Sequence, residues 1–276
     1  MPETRSEPSS LLPLLCLLAA TFLLVPLGRN VLFLPLAVRL SLGLLASLGF
    51  VYFLQKEAPD RRLKYLALAI PLAILALAPI DTGLGFAHIL TLVIIFSAVL
   101  VIPYLLLEGK NIISYKLFPE RLDPLDLIYT LVSIPLAWGA LTLYLKIMSP
   151  EVPYNWVLSP EPEGLELFKL FMGINGVGIW DELFFVNTSY AILRSLFPYR
   201  TANLAQSVIY MSILYDMAFS GWGPLFVYIL ALTQGAMYER SKALIWVLLV
   251  HLIVDYFLFQ IIVSTYYPDL SVWWHP

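Results

Sequence analysis

Long apolar runs, each bounded by charged residues or by proline and glycine clusters, recur along almost the whole chain. A helix needs about 20 apolar residues to cross the roughly 30 Å hydrocarbon core of a bilayer. The runs predict nine membrane-spanning helices, over residues 11–27, 31–54, 65–80, 85–108, 124–147, 167–197, 203–220, 224–238 and 243–265. The sixth run is too long for one perpendicular helix, so its first turns are expected at the membrane interface.

The composition excludes an ordinary soluble domain. Apolar residues make up 60% of the 276-residue chain and charged residues 13%, whereas soluble proteins contain about 45–50% and about 25%. We therefore predict an integral, multi-pass membrane protein, an all-α bundle of about eight to nine transmembrane helices surrounded by the lipid bilayer. The net charge of −3 argues against a nucleic-acid partner.

Basic residues are unevenly distributed among the segments between the runs. If the N-terminus lies inside, the inner segments hold twelve of the sixteen Lys and Arg residues, and the outer side carries an acidic loop around Glu161 and Glu166. Inner loops of membrane proteins are enriched in Lys and Arg. The pattern therefore predicts an N-terminus inside and nine spans, although an even number of spans with one run miscounted stays open.

Ionisable side chains inside the runs concentrate in the last 100 residues, on three different predicted helices. They are Asp181, Glu182, Asp216, His251 and Asp255. An ionisable group at membrane depth is costly unless it is paired or hydrated, so each of these residues is a functional candidate.

Asp181 and Glu182 are adjacent in the sixth run. Neighbouring residues on a helix point about 100° apart, so one acid can face a cavity while the other pairs elsewhere. Two carboxylates this close in a low-dielectric site should not both ionise easily, which suits a general acid or base. The alternative is a pair of acids bridged to basic residues on another helix for assembly.

His251 and Asp255 are four residues apart in the last run, which places both on one helix face. An aspartate in this position can orient the imidazole and fix its tautomer, which leaves the other ring nitrogen free. Such a pair is either structural or catalytic, and the nearby acids favour a site.

Three segments taken together resemble a known family. Residues 181–186 (DELFFV), 215–219 (YDMAF) and 251–255 (HLIVD) are similar in order and spacing to the motifs EExxxR, FxxxH and HxxxN/D of the CPBP family. This family of membrane proteins includes type II CAAX prenyl endopeptidases and bacteriocin-processing or immunity proteins. The connection 234–246 also resembles the family's. We therefore predict a CAAX-peptidase-like core at 124–265, preceded by motif-free helices at 1–123 and followed by a short tail at 266–276.

The resemblance implies a division of roles among the motifs. In active members the first-motif glutamate activates a water molecule, the second-motif histidine helps to hold it, and the third motif stabilises the oxyanion. Carried over to this chain, Asp181 or Glu182 would be the base, and His251 with Asp255 would form the oxyanion side. The side chains expected to line the cavity beside them are Tyr215, Asp216, Phe219, Val186 and Asn187.

The sequence departs from the motifs at three positions. Asp181 replaces a glutamate, Val186 stands at the arginine position, and Phe219 stands at the second-motif histidine position. A misplaced base can cost about 10²-fold in rate, and a lost acid or base about 10²–10⁴-fold. These changes predict weak or absent peptidase activity by the usual mechanism. Because only one histidine fits the motifs, neither a metal nor another cofactor is expected.

Three functions remain open on sequence grounds. The first is an intramembrane peptidase with a divergent site. The second is a catalytically inactive member that binds a lipid tail, a prenylated or transmembrane peptide, or a partner protein in assembly, immunity or regulation. The third is a transporter that uses the buried acids, which the lack of an internal repeat disfavours.

Overall fold

A computed structural model describes residues 10–25, 34–78, 83–148, 158–161, 163–214 and 223–270. Every regular element in these segments is helical, which confirms the predicted all-α class. The α-helices are α1 Leu11–Leu24, α2 Leu36–Leu54, α3 Pro59–Leu77, α4 Phe86–Leu106, α5 Pro124–Met148, α6 Gly164–Asp181, α7 Tyr190–Leu196, α8 Tyr199–Leu214, α9 Gly223–Ser241 and α10 Leu244–Tyr266. A π-helical segment, Glu182–Ser189, joins α6 to α7, and a short 3₁₀ turn, Pro268–Leu270, follows α10.

The hydropathy of these helices identifies an integral membrane protein. Among the described residues, four stretches are long and apolar enough to cross a bilayer, namely α2, α4, Pro124–Tyr144 of α5, and α10. Helix α1 is apolar but shorter, at 14 residues. The total of eight to nine spans stays a prediction.

Helix α3 begins six residues before the predicted start at residue 65. Pro59 occupies its first turn, where a missing backbone N–H costs nothing, and Asp60 pairs with Lys64 one turn later at 3.0 Å. The charged residues that were expected to precede the span are therefore part of the helix.

The π-helical segment divides the predicted sixth run, 167–197. The glycines of α6 lie in regular α-helix, and the hydrogen-bond register changes only after Asp181. Thr188 Oγ1 donates to the carbonyl of Leu183, five residues earlier, at 2.8 Å. Short π segments of this kind are rare and occur frequently at functional sites.

The π-helical segment lies at the centre of the bundle. It packs against α4, α6, α7, α8, α9 and α10, and α10 also packs against α5, α6 and α9. Glu182 and every residue from Phe184 to Val186 are fully buried. The polar and apolar side chains of the π-helical segment are therefore buried together between the surrounding helices.

One end of the bundle, here called the basic end, collects the start of α1, the loop 107–123 and the junction of α9 and α10. Ser10 donates its backbone N–H to Glu57 at 3.0 Å, and the N–H of Leu244 donates to the carbonyl of Lys116 at 2.9 Å. The basic residues at this end are Arg61, Lys64, Lys110, Lys116, Arg194, Arg240 and Lys242. Charged ends and an apolar middle match the cross-section of a bilayer.

Candidate active site

Four of the sequence-predicted residues meet in one buried cluster. Asp181 is the last residue of α6, Glu182 is the first of the π-helical segment, and His251 and Asp255 lie one turn apart on α10. Each is at most 5% exposed. The change of register between Asp181 and Glu182 sends the two neighbouring carboxylates to opposite edges of the His251 ring.

Glu182 holds the Nδ1 edge of the ring. Its Oε1 lies 2.6 Å from His251 Nδ1. The Tyr210 hydroxyl lies 3.0 Å from the same nitrogen and 3.5 Å from Oε1, and Gln234 Nε2 donates to Oε1 at 3.3 Å. A carboxylate at this distance accepts the Nδ1 proton and fixes both tautomer and orientation of the imidazole.

The other ring nitrogen faces two carboxylates at longer range. His251 Nε2 lies 3.8 Å from Asp181 Oδ2 and 3.5 Å from Asp255 Oδ1. These separations exceed a good direct hydrogen bond but suit a bridging water molecule or a substrate oxygen. The Nδ1 edge of the ring is therefore fixed by Glu182, whereas the Nε2 edge is available to a water molecule or a substrate oxygen.

The carboxylates of the cluster retain oxygen atoms for further ligands. Asp181 Oδ1, Glu182 Oε2 and Asp255 Oδ2 are buried and accept no hydrogen bond from the described residues. A buried acceptor without a donor costs about 1–3 kcal/mol, so such groups normally bind ordered water. The site therefore has the acceptors needed to hold a nucleophilic water.

Close packing of α6 on α10 brings the acids to the ring. A Cβ atom placed on Gly178 would overlap Asp255 Oδ2 and lie 2.7 Å from His251 Cδ2. Only glycine lets the two helices approach this closely at the site. Close packing at this point of α6 therefore depends on Gly178.

The reactive edge of His251 opens on an apolar cavity of about 510 Å³ between α4, α6 and α10. Asp181, Tyr210, His251 and Asp255 belong to its wall, whereas Glu182 does not. The remaining wall is mainly aliphatic and aromatic and reaches side chains on the outer face of the bundle, such as Val93 and Met172, which are about half exposed. The cavity thus connects the polar cluster with the lipid-facing surface.

The other predicted cavity residues have different positions. Val186 is fully buried in the apolar core, and Asn187 accepts a hydrogen bond from the Tyr238 hydroxyl, so neither belongs to the cavity wall. The helical register directs both away from the cavity. Tyr215, Asp216 and Phe219 lie outside the described residues, so their predicted positions stay predictions.

Sequence reasoning missed Tyr210 and Gln234 as partners of the site. Tyr210 and Leu214 are four residues apart, like the first and last residues of the FxxxH motif. They lie five residues before Tyr215 and Phe219, respectively. Read at this earlier position, the second-motif histidine would correspond to Leu214, which lies in the cavity wall. Gln234 could have been identified from the sequence, because it is a polar residue within the mostly apolar run 224–238.

Among the residues the structure describes, no group of three or more His, Cys, Asp or Glu side chains is arranged to hold a metal ion. Glu182 instead lies on the opposite side of the imidazole from Asp181 and Asp255. The geometry is that of an oriented acid–imidazole pair with further carboxylates at the free nitrogen.

Fold and site together define a helical membrane protein with a buried acid–imidazole cluster at the end of an apolar cavity. Residues 163–257, about a third of the chain, match the model of the family described as Rce1-like, type II CAAX prenyl endopeptidase Rce1-like. This match confirms the resemblance of the segment to CPBP proteins. No curated protein and no solved structure matches the chain. The matched segment runs from α6 into α10 and contains all four clustered residues, while the predicted core boundary at residue 124 stays a prediction.

Proposed function

We propose that this protein is an intramembrane endopeptidase of the CAAX-processing type with a divergent site. The observation that carries the proposal is the pair of carboxylates at His251 Nε2, Asp181 and Asp255, each with one oxygen that accepts no hydrogen bond from the described residues, at the wall of a cavity that reaches lipid. Water activation requires such acceptors, and a lipid-modified or transmembrane peptide requires an apolar approach.

The geometry favours Asp181 over Glu182 as the base. Asp181 lines the cavity, whereas Glu182 lies outside its wall and has its Oε1 occupied by His251, Tyr210 and Gln234. Asp181 takes a proton from water while the water oxygen bonds to the scissile carbonyl carbon and the carbonyl π electrons move to its oxygen. Collapse of this intermediate breaks the C–N bond, and the departing amine receives the proton from Asp181.

His251 and Asp255 serve the opposite side of the carbonyl. A positioned donor at a developing oxyanion contributes about 10²–10³-fold in rate. His251 Nε2 faces the space in which that oxygen would form, and with Nδ1–H donated to Glu182 the ring donates from Nε2 as the imidazolium, protonated on both nitrogens. Asp255 lies 3.5 Å from this nitrogen and keeps it directed at the cavity.

The cavity supports a substrate with a long apolar group, and a prenylated peptide is the class that we propose. Its walls come from α4 and α6, both with exposed apolar side chains such as Phe168, which is 60% exposed. A lipid-linked peptide can therefore reach Asp181 from within the bilayer without crossing a polar surface.

We further infer that the chain crosses the membrane several times, with its N-terminus inside. The basic end supports this orientation, because the start of α1 lies there beside basic residues from other loops and helix ends. The opposite end includes Ser159, whose N–H donates to Glu166. Enrichment of basic residues on the inner side of membrane proteins places the basic end inside.

The second candidate is an inactive member that keeps the cavity to bind a lipidated or transmembrane partner. The observation that favours it is the apolar character of Val186, at the arginine position of the first motif, and of Leu214, which would be the second-motif histidine position in the register that starts at Tyr210. Neither can hold water or accept a proton. Such a protein would recognise the same apolar group without cleaving the attached peptide.

The test uses the full chain in lipid nanodiscs and a fluorogenic peptide that carries a farnesylated cysteine followed by three residues. Hydrolysis that is lost in Asp181→Asn and His251→Gln, and retained in the exposed control Glu163→Gln, supports the peptidase. Binding of the prenylated peptide without cleavage, unchanged in Asp181→Asn, supports the inactive member and contradicts the first proposal.

A further inference from the structure

A second group of polar side chains is buried between the candidate active site and the basic end. We define the polar column as Asn187 and Ser189 of the π-helical segment, Asn203 and Gln206 of α8, and Gln234 of α9. None is more than 6% exposed. Each has one nitrogen or oxygen with no hydrogen-bond partner among the described residues: Asn187 Nδ2, Ser189 Oγ, Asn203 Oδ1, Gln206 Nε2 and Gln234 Oε1.

The column is continuous with the site at one end. Gln234 Nε2 bridges Glu182 Oε1, at 3.3 Å, and the carbonyl of Val247, at 2.9 Å. The next residue is Gly235, and a Cβ there would overlap Asn203 Oδ1 and lie 3.2 Å from Gln206 Oε1. The missing side chain therefore lets the polar groups of α8 approach α9 beside Gln234.

The column reaches the loop 107–123 at its other end. Tyr238, one turn after Gln234 on α9, donates to Asn187 Oδ1 and also lies 3.4 Å from the carbonyl of Ser114. The Tyr115 hydroxyl lies 3.2 Å from Thr188 Oγ1. His251 is only seven residues from the start of α10, which at 1.5 Å per residue is a depth of about 10 Å below the basic end.

Five unpartnered polar atoms on three packed elements need a common explanation. A buried polar atom that remains without a hydrogen-bond partner destabilises the fold. Buried waters typically make about three hydrogen bonds to such groups, and the five atoms include both donors and acceptors: two amide nitrogens, one hydroxyl and two amide oxygens. In the wall of the apolar cavity, the described side-chain atoms of this kind are those of Asp181 and Asp255 at the active-site end.

We infer that the polar column binds a file of ordered water molecules that runs from the basic end to Glu182. The file ends on the Glu182 side of the His251 ring, whereas the apolar cavity ends on the Asp181 side, so water along the bundle axis and a lipid-linked group from the lateral cavity would reach the cluster from different directions. Delivery of the water consumed in hydrolysis rests on the proposed function. Hydration of the column does not.

Radiolytic hydroxyl-radical footprinting of the full chain in nanodiscs tests the inference, because radicals formed from bound water modify adjacent side chains. Tyr238 is 7% exposed and lies on the column, while Tyr144 is 3% exposed and packs against Phe226. We expect Tyr238 to be modified several-fold faster than Tyr144. Equal slow rates at both tyrosines overturn the inference, whatever the activity of the protein.

Two substitutions make the test specific. Asn187→Leu and Gln206→Met replace column groups by apolar side chains of similar size, and each should slow modification of Tyr238 several-fold. Ser212→Ala is the matched control, since this buried hydroxyl donates only within α8, to Val208, at 2.7 Å. Unchanged labelling in both variants, with melting temperatures like the control's, contradicts the column.

Hydrolysis measured on the same samples separates the two proposals. Slower turnover in Asn187→Leu with an unchanged KM for the prenylated peptide supports delivery of water along the column. A wild-type protein in which Tyr238 is rapidly labelled but no peptide is cleaved keeps the column and rejects the peptidase.

Discussion

Gly178 of α6 lies directly against Asp255 of α10, in a contact that no residue with a Cβ atom can make without displacing the carboxylate. The contact brings the backbone of one helix to the side chain that faces His251 Nε2. Where helices meet this closely, a single methyl group changes the position of the reactive groups.

Gly178→Ala is therefore expected to lower both stability and activity. Overpacking of a tight helix contact costs about 1–3 kcal/mol, and displacement of Asp255 should lower kcat for the prenylated peptide by about 10²-fold. Chemical denaturation and kinetics on the same sample measure both effects. Gly139→Ala on α5 is the control, since its Cβ would meet no atom within 4 Å, and equal behaviour of the two variants would contradict the role of the contact.

Glu182→Gln tests the orientation of the imidazole. The amide oxygen accepts an Nδ1–H hydrogen bond more weakly than a carboxylate, and the amide NH2 can instead donate to an unprotonated Nδ1, so the proton on Nδ1 is no longer fixed while the packing volume is kept. We expect kcat to fall by about 10²–10⁴-fold with KM nearly unchanged, because Glu182 lies outside the cavity wall. Since the chain has only three histidines, ¹⁵N-histidine NMR can follow the tautomer directly. A wild-type-like His251 signal in the variant would disprove the orienting role.

Tyr210→Phe removes one hydroxyl from the Nδ1 side of the ring. The aromatic ring should stay in place because it stacks on Phe185 with centroids 4.2 Å apart. A hydrogen bond to a charged group contributes about 1.5–3 kcal/mol, so activity should fall by about 10–100-fold. Tyr190→Phe, which removes a hydroxyl bonded to Glu239 at 2.7 Å, should leave the rate of hydrolysis unchanged. Equal rates in the Tyr210 and Tyr190 variants would argue against the contribution of Tyr210.

Restoring a histidine at the second motif should raise activity, and the position that responds identifies the register of the motif. Leu214 lies in the cavity wall with Asp181, so a histidine there faces the proposed base. We expect Leu214→His to increase hydrolysis by about 10²-fold or more. Phe219→His tests the register first inferred from the sequence, and a gain at this position alone would favour that register.

Much of the architecture follows from the sequence because its signals are local. An apolar run of about 20 residues predicts a helix in lipid wherever its neighbours lie. An acid or a histidine within such a run is costly enough to mark a site before any contact is known. This cost identifies Asp181, Glu182, His251 and Asp255 as candidates. The family motifs then assign the two acids to the first motif and the His–Asp pair to the third.

The division of work among those residues depended on the tertiary structure. Asp181 and Glu182 are adjacent, and a shift from α- to π-helical register between them determines which one faces the cavity and which one holds His251 Nδ1. No local pattern reveals that register, and the π-helical segment packs against α4, α8, α9 and α10, which lie elsewhere in the sequence. Tyr210 and Gln234 joined the site for the same reason: their hydroxyl and amide groups are ordinary in sequence, and only the approach of α8 and α9 brings them to Glu182.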